Sequence, residues 1–412
     1  MERRVVITAE AAITPIGHGK KEIFNNLVKG VSGIKNLKNQ DDLLSRYLHS
    51  RVFGIVDYEI VYDFSRKFAK TLGPVAYYAC QVAKEVIDQA GLSREILSSG
   101  RVGVAFGSIH GSPTVQRNIY EAFFDPSRKG YTKVNATDYL KSMVHTTAVN
   151  ITRMFGITGR VISSCTACTT ASQSIGYGYE SIKYGLQDAM ICGAADEYDL
   201  TTVAVFDNLL ACSIAFNETP HLTPRPFDVR RDGLVIGEGA GAVMLEEYDH
   251  AKKRGVPILA EVIGFSCSNN GGDLILPNAE GVKRTIRMGL ENARINPDDV
   301  DFISAHATAT KVGDIVEAQA IHAEYGNRPY VSGFKGFIGH TMSACGAIEA
   351  IFAIYMMQEG VIIPTLNLEE VDPRCNMVNH AMKLYERDVN IVSVHNFAFG
   401  GVNTSLFIKK WK

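Results

Sequence analysis

The chain has 412 residues, which at roughly 150 residues per domain suits two or three domains or one large duplicated unit. Hydrophobic residues make up 46% and charged residues 21%, and 42 Lys+Arg against 44 Asp+Glu leave a net charge of -2. That balance describes an ordered globular protein, excludes a disordered or fibrous chain, and offers no basic surface for nucleic acid.

At the N-terminus, charge at Glu2, Arg3 and Arg4 precedes the short apolar run Val5-Val6-Ile7, which breaks at Glu10 with no small-residue cleavage site behind it. It reads as a first strand and not as a leader. No stretch approaches the roughly 18 consecutive apolar residues of a membrane span, so a cytoplasmic protein is expected. Further along, helical spacing predicts a helix over Pro74–Ala90, and short β-rich runs predict strands over Val102–Phe106, Ala189–Ala194, Ala242–Leu245, Ile258–Phe265 and Val300–Ser304. A second helix is predicted over Gly346–Met357 and a last strand over Val389–Val394. Both helices are apolar or small nearly all round, which predicts burial between layers. Alternation of this kind indicates layered α/β architecture. The 37 glycines are densest at Gly233–Gly241, Gly333–Gly346 and Gly400-Gly401, which are either site walls or close packing.

Eight cysteines in so long a chain are too sparse for a disulfide framework. Cys168 follows a strand-like end, Val161-Ile162, and opens a small-residue helix running toward Tyr184, so it sits at a strand-turn-helix junction. The positive end of a helix favours thiolate there, and the expectation is a nucleophilic sulfur near neutral pH. Cys165 and Cys168 also form a C-x-x-C, which leaves a redox reading open. No second Cys or His pair has ligand spacing for a metal. Two His residues stand in unusual settings downstream: His306 ends the strand-like run Asp301–Ala305, and His340 lies in a glycine-rich stretch with Lys335 five residues before it. Taken singly each is as easily a structural hydrogen-bonding residue, and Lys335 a structural ion pair. Together they are the partners an acyl-forming thiolate needs.

Five blocks in this order carry a resemblance. They are Thr166-Ala167-Cys168-Thr169; Arg225-Pro226-Phe227-Asp228 with Arg231-Asp232-Gly233 and Gly237–Gly241; Ala305–Thr310; Lys335–His340; and Asn396–Asn403. The set resembles the elongating β-ketoacyl-ACP synthases of the thiolase superfamily, of the synthase II type or the ketosynthase subunits of type II polyketide systems. The resemblance implies a five-layered αβαβα thiolase-like fold of two pseudo-duplicated halves, residues 1–250 carrying the nucleophile and 251–412 the two His. It implies decarboxylative Claisen condensation of malonyl-ACP with an acyl chain on Cys168, in fatty-acid or, on the departures below, type II polyketide or polyene biosynthesis. His306 and His340 would hold the malonyl thioester carbonyl, and the backbone N–H groups of Cys168 and Phe399 would form the oxyanion hole. Lys335 would act on the His network with Glu349 and Asp314 as partners. Thr308, Thr310, Phe399 and Gly400 would bind the substrate and its pantetheine arm, with Phe399 also the gate beside the nucleophile, and Ile109 and His110 would lie near the limit of the acyl chain. It implies no metal and no tightly bound cofactor, an acyl carrier protein as partner, and a homodimer or a heterodimer with a chain-length-factor-like subunit.

Three departures stand out. Ala398 replaces a gate glycine and would narrow the freedom of that loop; Ile275 stands where a polar Thr often serves the malonyl site; Ala9-Glu10-Ala11 alters the N-terminal pattern. They hint at a specialised pathway. A plain ACP acyltransferase, a non-catalytic chain-length partner and a thiolase remain the competing readings. The two His argue against the first, Cys168 against the second, and a one-His, two-Cys site is what the third would need. Arg66-Lys67-Phe68-Ala69-Lys70 is a candidate basic patch for the carrier, or simply a solvated charged face.

Overall fold

The computed structural model describes residues 2–37, 47–126 and 134–412. Among these residues, twelve strands form one mixed sheet: β1 (Val5–Thr14), β2 (Gly17–His18), β3 (Val102–Gly107), β4 (Val161–Ile162), β5 (Ala189–Asp196), β6 (Gly239–Glu247), β7 (Ala260–Asn269), β8 (Phe302–Ala305), β9 (Tyr330–Gly333), β10 (Asn379–His380), β11 (Ile391–Phe397) and β12 (Val402–Lys410). Their spatial order is β10-β9-β8-β11-β12-β7-β1-β6-β5-β3-β4, with β2 hairpinned to β1. The path divides about its middle into two arms of like pattern. In one, β3 runs parallel to β5 and the pairs β5/β6 and β6/β1 are antiparallel. In the other, β8 runs parallel to β11 and the pairs β11/β12 and β12/β7 are antiparallel. The arms meet where Val5-Val6-Ile7 pairs with Val262-Glu261-Ala260.

Helices α1 (Pro74–Ala90), α2 (Thr146–Phe155), α3 (Thr170–Lys183), α4 (Leu200–Asn208), α5 (Ala279–Ala293), α6 (Gly313–Tyr325) and α7 (Cys345–Glu359) supply the other layers. Residues alternate between faces along the strands. Ala240, Ala242 and Met244 of β6 pack on α1, while Val243 and Leu245 face the core that holds α3 and α7. Helices α5 and α6 cover the far face of the second arm with Val282, Ile286, Leu290, Ile321 and Tyr325. The result is an αβαβα stack in which α3 and α7 form the middle layer. Their crossing is close: a Cβ on Gly346 would stand 2.1 Å from Ser172 Oγ, so only glycine fits there.

The predicted strands and helices all form, with shifted ends. β7 starts two residues later than predicted and runs on to Asn269, and β11 runs three residues past the predicted end. Helix α1 spans the predicted Pro74–Ala90, with Pro at its first turn and a left-handed Gly91 after its end. It is not a middle-layer helix. It lies on the outer face of the first arm, where its small residues were a signal of tight sheet packing and not of enclosure. Nor does Glu10 end the first strand: β1 shifts register between Ile7 and Ala9, which turns Glu10 inward to accept the Tyr355 hydroxyl at 2.7 Å. Burial pushes its carboxyl up to about 7. The expected cut after residue 250 falls inside the short helix Tyr248–Arg254 between β6 and β7.

Candidate active site

Cys168 occupies a 3-10 turn, Ala167–Thr169, directly before α3, and the strain of the turn is carried by Ala167 at φ 49°. The backbone N–H groups of Cys168 itself and of Phe399 lie against its sulfur. Burial nevertheless dominates and pushes the thiol up to about 11, although Lys335 and those N–H groups pull it down. The thiolate expected near neutral pH from the helix start is therefore not the resting state, because desolvation outweighs the few donors.

His340 and His306 converge on this sulfur from the second arm. His340 is held by its main chain, its N–H donating to the Val235 carbonyl at 2.6 Å and its carbonyl accepting from Gly237 N–H at 2.9 Å. Its Nε2 lies 3.1 Å from Cys168 Sγ, and its Nδ1 accepts from the Met342 N–H at 3.1 Å. The two imidazole rings meet edge to face with centroids 5.2 Å apart. Behind His306, Lys335 Nζ lies 3.4 Å from Nδ1 and donates to Glu349 Oε1 at 2.8 Å and to the His306 carbonyl. Both back nitrogens thus face donors, which puts the ring protons on the Nε2 atoms. Burial first, and the Lys335 charge second, hold both imidazoles well below their usual range, so they are neutral. Each offers one N–H toward the same cavity.

The ligand atoms of Cys168, His306 and His340 lie within 4.8 Å of one another, a donor set a soft metal ion would accept in principle. To ligate, however, each Nε2 must lose its proton while Nδ1 still faces a donor. The tautomers therefore suit this trio to hydrogen-bond donation and not to metal binding.

The loop carrying His306 is fastened by helix α6. Glu317 accepts the N–H groups of His306 and Ala307 at 2.7 Å each, and Asp314 accepts those of Phe227 at 2.7 Å and Ala309 at 3.0 Å. These bonds hold Ala307 and Ala309 at φ 43° and 64°, in the left-handed region that costs non-glycine residues energy. Burial pushes Glu317 up to about 8 and Asp314 up to about 6, against the donors that pull both down. Asp314 is thus spent on backbone and on Arg231 at 3.7 Å, and Lys335 takes Glu349 as its carboxylate partner. Asp314 therefore meets Lys335 only through its charge, which pulls the carboxyl down, and not through a hydrogen bond. Glu317 was missed, although Asp314 and Glu317 share a helix face by their spacing of three. Cys345 was missed too: its S–H donates to the Cys168 carbonyl at 3.2 Å.

Cys168, His306 and His340 line a cavity of about 340 Å³ with Thr308, Thr310, Phe397, Ala398 and Phe399. The Thr308 and Thr310 hydroxyls lie 3.0 Å apart. At the mouth the walls turn apolar, with Leu210, Leu274, Ile275, Leu276 and Val312 exposed around it. Phe399 stacks on Phe206 of α4, ring centroids 5.6 Å apart. Gly400 and Gly401 take φ 88° and 73°, and Gly400 N–H donates to the Leu274 carbonyl at 2.7 Å, tying the two rim loops together. Ala398 is not among the left-handed residues, so its methyl costs the loop no backbone strain. Ile109 and His110 lie outside this cavity. The Ile109 N–H donates to Asp196 at 3.0 Å, and the other oxygen of Asp196 accepts the Ser343 N–H at 2.8 Å, so the link to the site is indirect. Cys165 is exposed and unpaired with Cys168, its S–H directed at the Ile109 carbonyl at 3.5 Å.

Two family models cover most of the chain: "Beta-ketoacyl synthase, N-terminal domain" matches residues 2–251 and "Beta-ketoacyl synthase, C-terminal domain" residues 259–369. The 3-oxoacyl-[acyl-carrier-protein] synthase 1 of Escherichia coli strain K12 is 32% identical over the full length of both chains. A crystal structure of a β-ketoacyl synthase from Burkholderia phymatum STM815 is 39% identical, with TM-score 0.95 and all of both chains covered. A ketosynthase structure, AntDE with AntF, described as a type II polyketide synthase acyl-carrier protein in complex with its ketosynthase bound to the hexaketide, is 26% identical with TM-score 0.90, again covering both chains entirely. The chain therefore belongs to the β-ketoacyl synthase family of the thiolase superfamily and is a condensing 3-oxoacyl-[acyl-carrier-protein] synthase, an acyltransferase built on a Cys-His-His site.

Proposed function

We propose that Cys168 carries the acyl chain and that His306 and His340 stabilise the enolate formed from malonyl-ACP, in a specialised type II polyketide or polyene pathway. The observation that carries the assignment of roles is the pair of neutral imidazoles, each with its Nε2 proton turned toward the cavity of Cys168. Acyl transfer alone needs one oxyanion hole; two further donors suit a second developing negative charge. The acyl-ACP carbonyl accepts from the N–H groups of Cys168 and Phe399 while the Cys168 sulfur displaces the pantetheine thiol, which leaves with the proton of Cys168. Malonyl-ACP then binds along Thr308 and Thr310 with its thioester oxygen between the imidazoles. Loss of CO2 leaves the enolate, and its carbon attacks the Cys168 thioester. The C–S bond breaks, the β-ketoacyl-ACP leaves two carbons longer, and the Cys168 sulfur regains a proton from solvent.

The polyketide reading is supported by the likeness to a type II polyketide ketosynthase and by Leu274-Ile275-Leu276, an apolar segment of the cavity wall where the family resemblance puts a polar Thr. The carrier protein is the expected docking partner, with the exposed short helix Arg66–Ala69 as candidate patch. Exposed Tyr120, Phe123 and Phe124 on one helix support a homodimer or a heterodimer with a chain-length partner, and a stable active monomer in a size measurement overturns that. Ile109, bonded to Asp196, and the neighbouring His110 are the candidate chain-length residues.

Intact-mass analysis of the protein beside Cys168→Ala, given acyl-ACP and then malonyl-ACP, tests the reading. An adduct on the Cys168 protein alone, followed by a carrier-bound product two carbons longer, is the expected result. An adduct without extension makes the chain an acyltransferase or one half of a heterodimer, and no adduct removes the nucleophile. Extension of short fatty acyl-ACP through repeated rounds with full reduction partners would move the pathway to fatty acids.

A further inference from the structure

Asn396 lies near the end of β11, fully buried and three residues before Phe399. Its amide atoms have different partners. Nδ2 donates to Glu349 Oε2 at 2.7 Å and lies 3.6 Å from Cys345 Sγ, while Oδ1 accepts the Ser172 hydroxyl. Its backbone carbonyl accepts the Thr404 hydroxyl at 3.2 Å. The opposite amide orientation would set an oxygen against a carboxylate, so the assignment is fixed by charge. The other oxygen of Glu349 takes Lys335 at 2.8 Å, and Lys335 faces His306 Nδ1. Cys345, in turn, donates to the Cys168 carbonyl. One buried chain of contacts therefore joins the His306 side of the site to the nucleophile turn, and Asn396 stands at its middle.

We infer that Asn396 is a positioning residue for the decarboxylation half of the reaction, orienting the Glu349 carboxylate so that Lys335 keeps the His306 Nε2 proton turned toward the substrate. The inference rests on the role assigned to His306. A fully buried carboxylate with one cation and no second donor has freedom to turn, or to take a proton and release Lys335; the Asn396 amide removes both options. Because the contact with Cys345 is long, acylation of Cys168 depends on Asn396 less than decarboxylation does.

The test is Asn396→Asp in the full-length protein, with Ser172→Ala as a milder second variant that only frees the amide. CO2 release from malonyl-ACP without an acyl primer is measured from pH 6 to 9, and Cys168 acylation by acyl-ACP in parallel. The titratable groups around position 396 are Glu349, Lys335 and Cys345, with His306 and Cys168 beyond them. Two carboxyls at this distance hold one proton between them at low pH and repel once it is lost. N396D is expected to lose CO2 release about tenfold or more, with the deficit widening as pH rises, while acylation changes less than threefold. S172A should show a smaller loss of CO2 release with acylation little changed, and no widening with pH because it adds no carboxyl. Equal losses in both half-reactions, or an N396D deficit that does not change with pH, leave only a structural role and overturn the inference. Wild-type protein that releases no CO2, or His306→Ala that still does at the wild-type rate, removes the assignment of His306 and the inference with it.

Discussion

Lys335→Ala removes the cation on which the buried polar network turns. In the wild-type protein Lys335 Nζ sits 2.8 Å from Glu349 Oε1 and 3.4 Å from His306 Nδ1, and both it and Glu349 are almost wholly excluded from solvent. Without it Glu349 keeps only the Asn396 amide, and an unpaired buried carboxylate costs about 3–5 kcal/mol, part of which it escapes by taking a proton. His306 loses the donor that fixes its tautomer, so its Nε2 proton no longer faces the cavity by default. Removing one preorganised donor from a developing oxyanion costs about 10²–10³ in rate. The expected outcome is a lower unfolding midpoint in urea, and CO2 release from malonyl-ACP reduced by about that factor. In Lys335→Ala/Glu349→Ala the lone carboxylate is gone as well; much of the stability should return while decarboxylation should not. Lys335→Ala protein that decarboxylates within about threefold of wild type would refute the tautomer argument. A double variant that regains both properties would show that only the lone carboxylate mattered.

Three further outcomes follow from the geometry. Iodoacetamide should label Cys168 about tenfold faster for each pH step from 7 to 10, since burial holds its thiol at about 11; a plateau near neutral pH would mean that the helix start prevails. Glu10, raised from 4.5 to about 7, keeps its proton in the folded protein after the unfolded chain has lost it, so its contribution is most favourable at low pH and fades as pH rises through that window. The stability gained by Glu10→Gln relative to wild type should grow by about 3 kcal/mol between pH 4.5 and 7, and urea unfolding at both pH values with no such divergence would contradict this. Ile275→Thr, at a half-exposed rim position, should lower the KM for malonyl-ACP without altering that for acyl-ACP or the unfolding midpoint; an unchanged KM would detach Ile275 from the malonyl site.

Composition located the layers because burial imposes it: β6 is buried on both faces and reads as a continuous run of small and apolar residues, and α7 is apolar on every side because it lies between two sheet arms. Where that reading misled, a local feature had intervened. The bulge in β1 turned Glu10 from an apparent strand end into a buried carboxyl, and the small residues of α1 suit an outer helix close to the sheet as well as an enclosed one. The reacting side chains were legible as a set, since a junction Cys and two His beside glycine-rich turns are rare together. Of their anchors, Lys335, Glu349 and Asp314 came with the resemblance, and the rest were not legible. Glu317, Asn396 and Cys345 act through backbone groups or through one another, and such contacts leave no spacing in the chain by which to find them. The thiol's protonation was misjudged for a related reason: the helix start is visible in sequence, whereas the depth at which Cys168 is buried depends on segments far away.

The meeting of the two arms along α3 and α7 bears on how relatives of this protein can be recombined. A chimera that joined residues 1–250 of this chain to the C-terminal half of a homologue would inherit the nucleophile turn from one parent and both imidazoles from the other. It would also have to re-create the contact of Gly346 with Ser172, the bond from Ser172 to Asn396, and the bond from Cys345 to the Cys168 carbonyl. Crossover points are therefore best judged by whether both parents agree at positions 172, 345, 346 and 396. A library exchanging only the rim segments around 205–214 and 273–277 leaves that shared seam untouched, and is the safer route to altered substrate range.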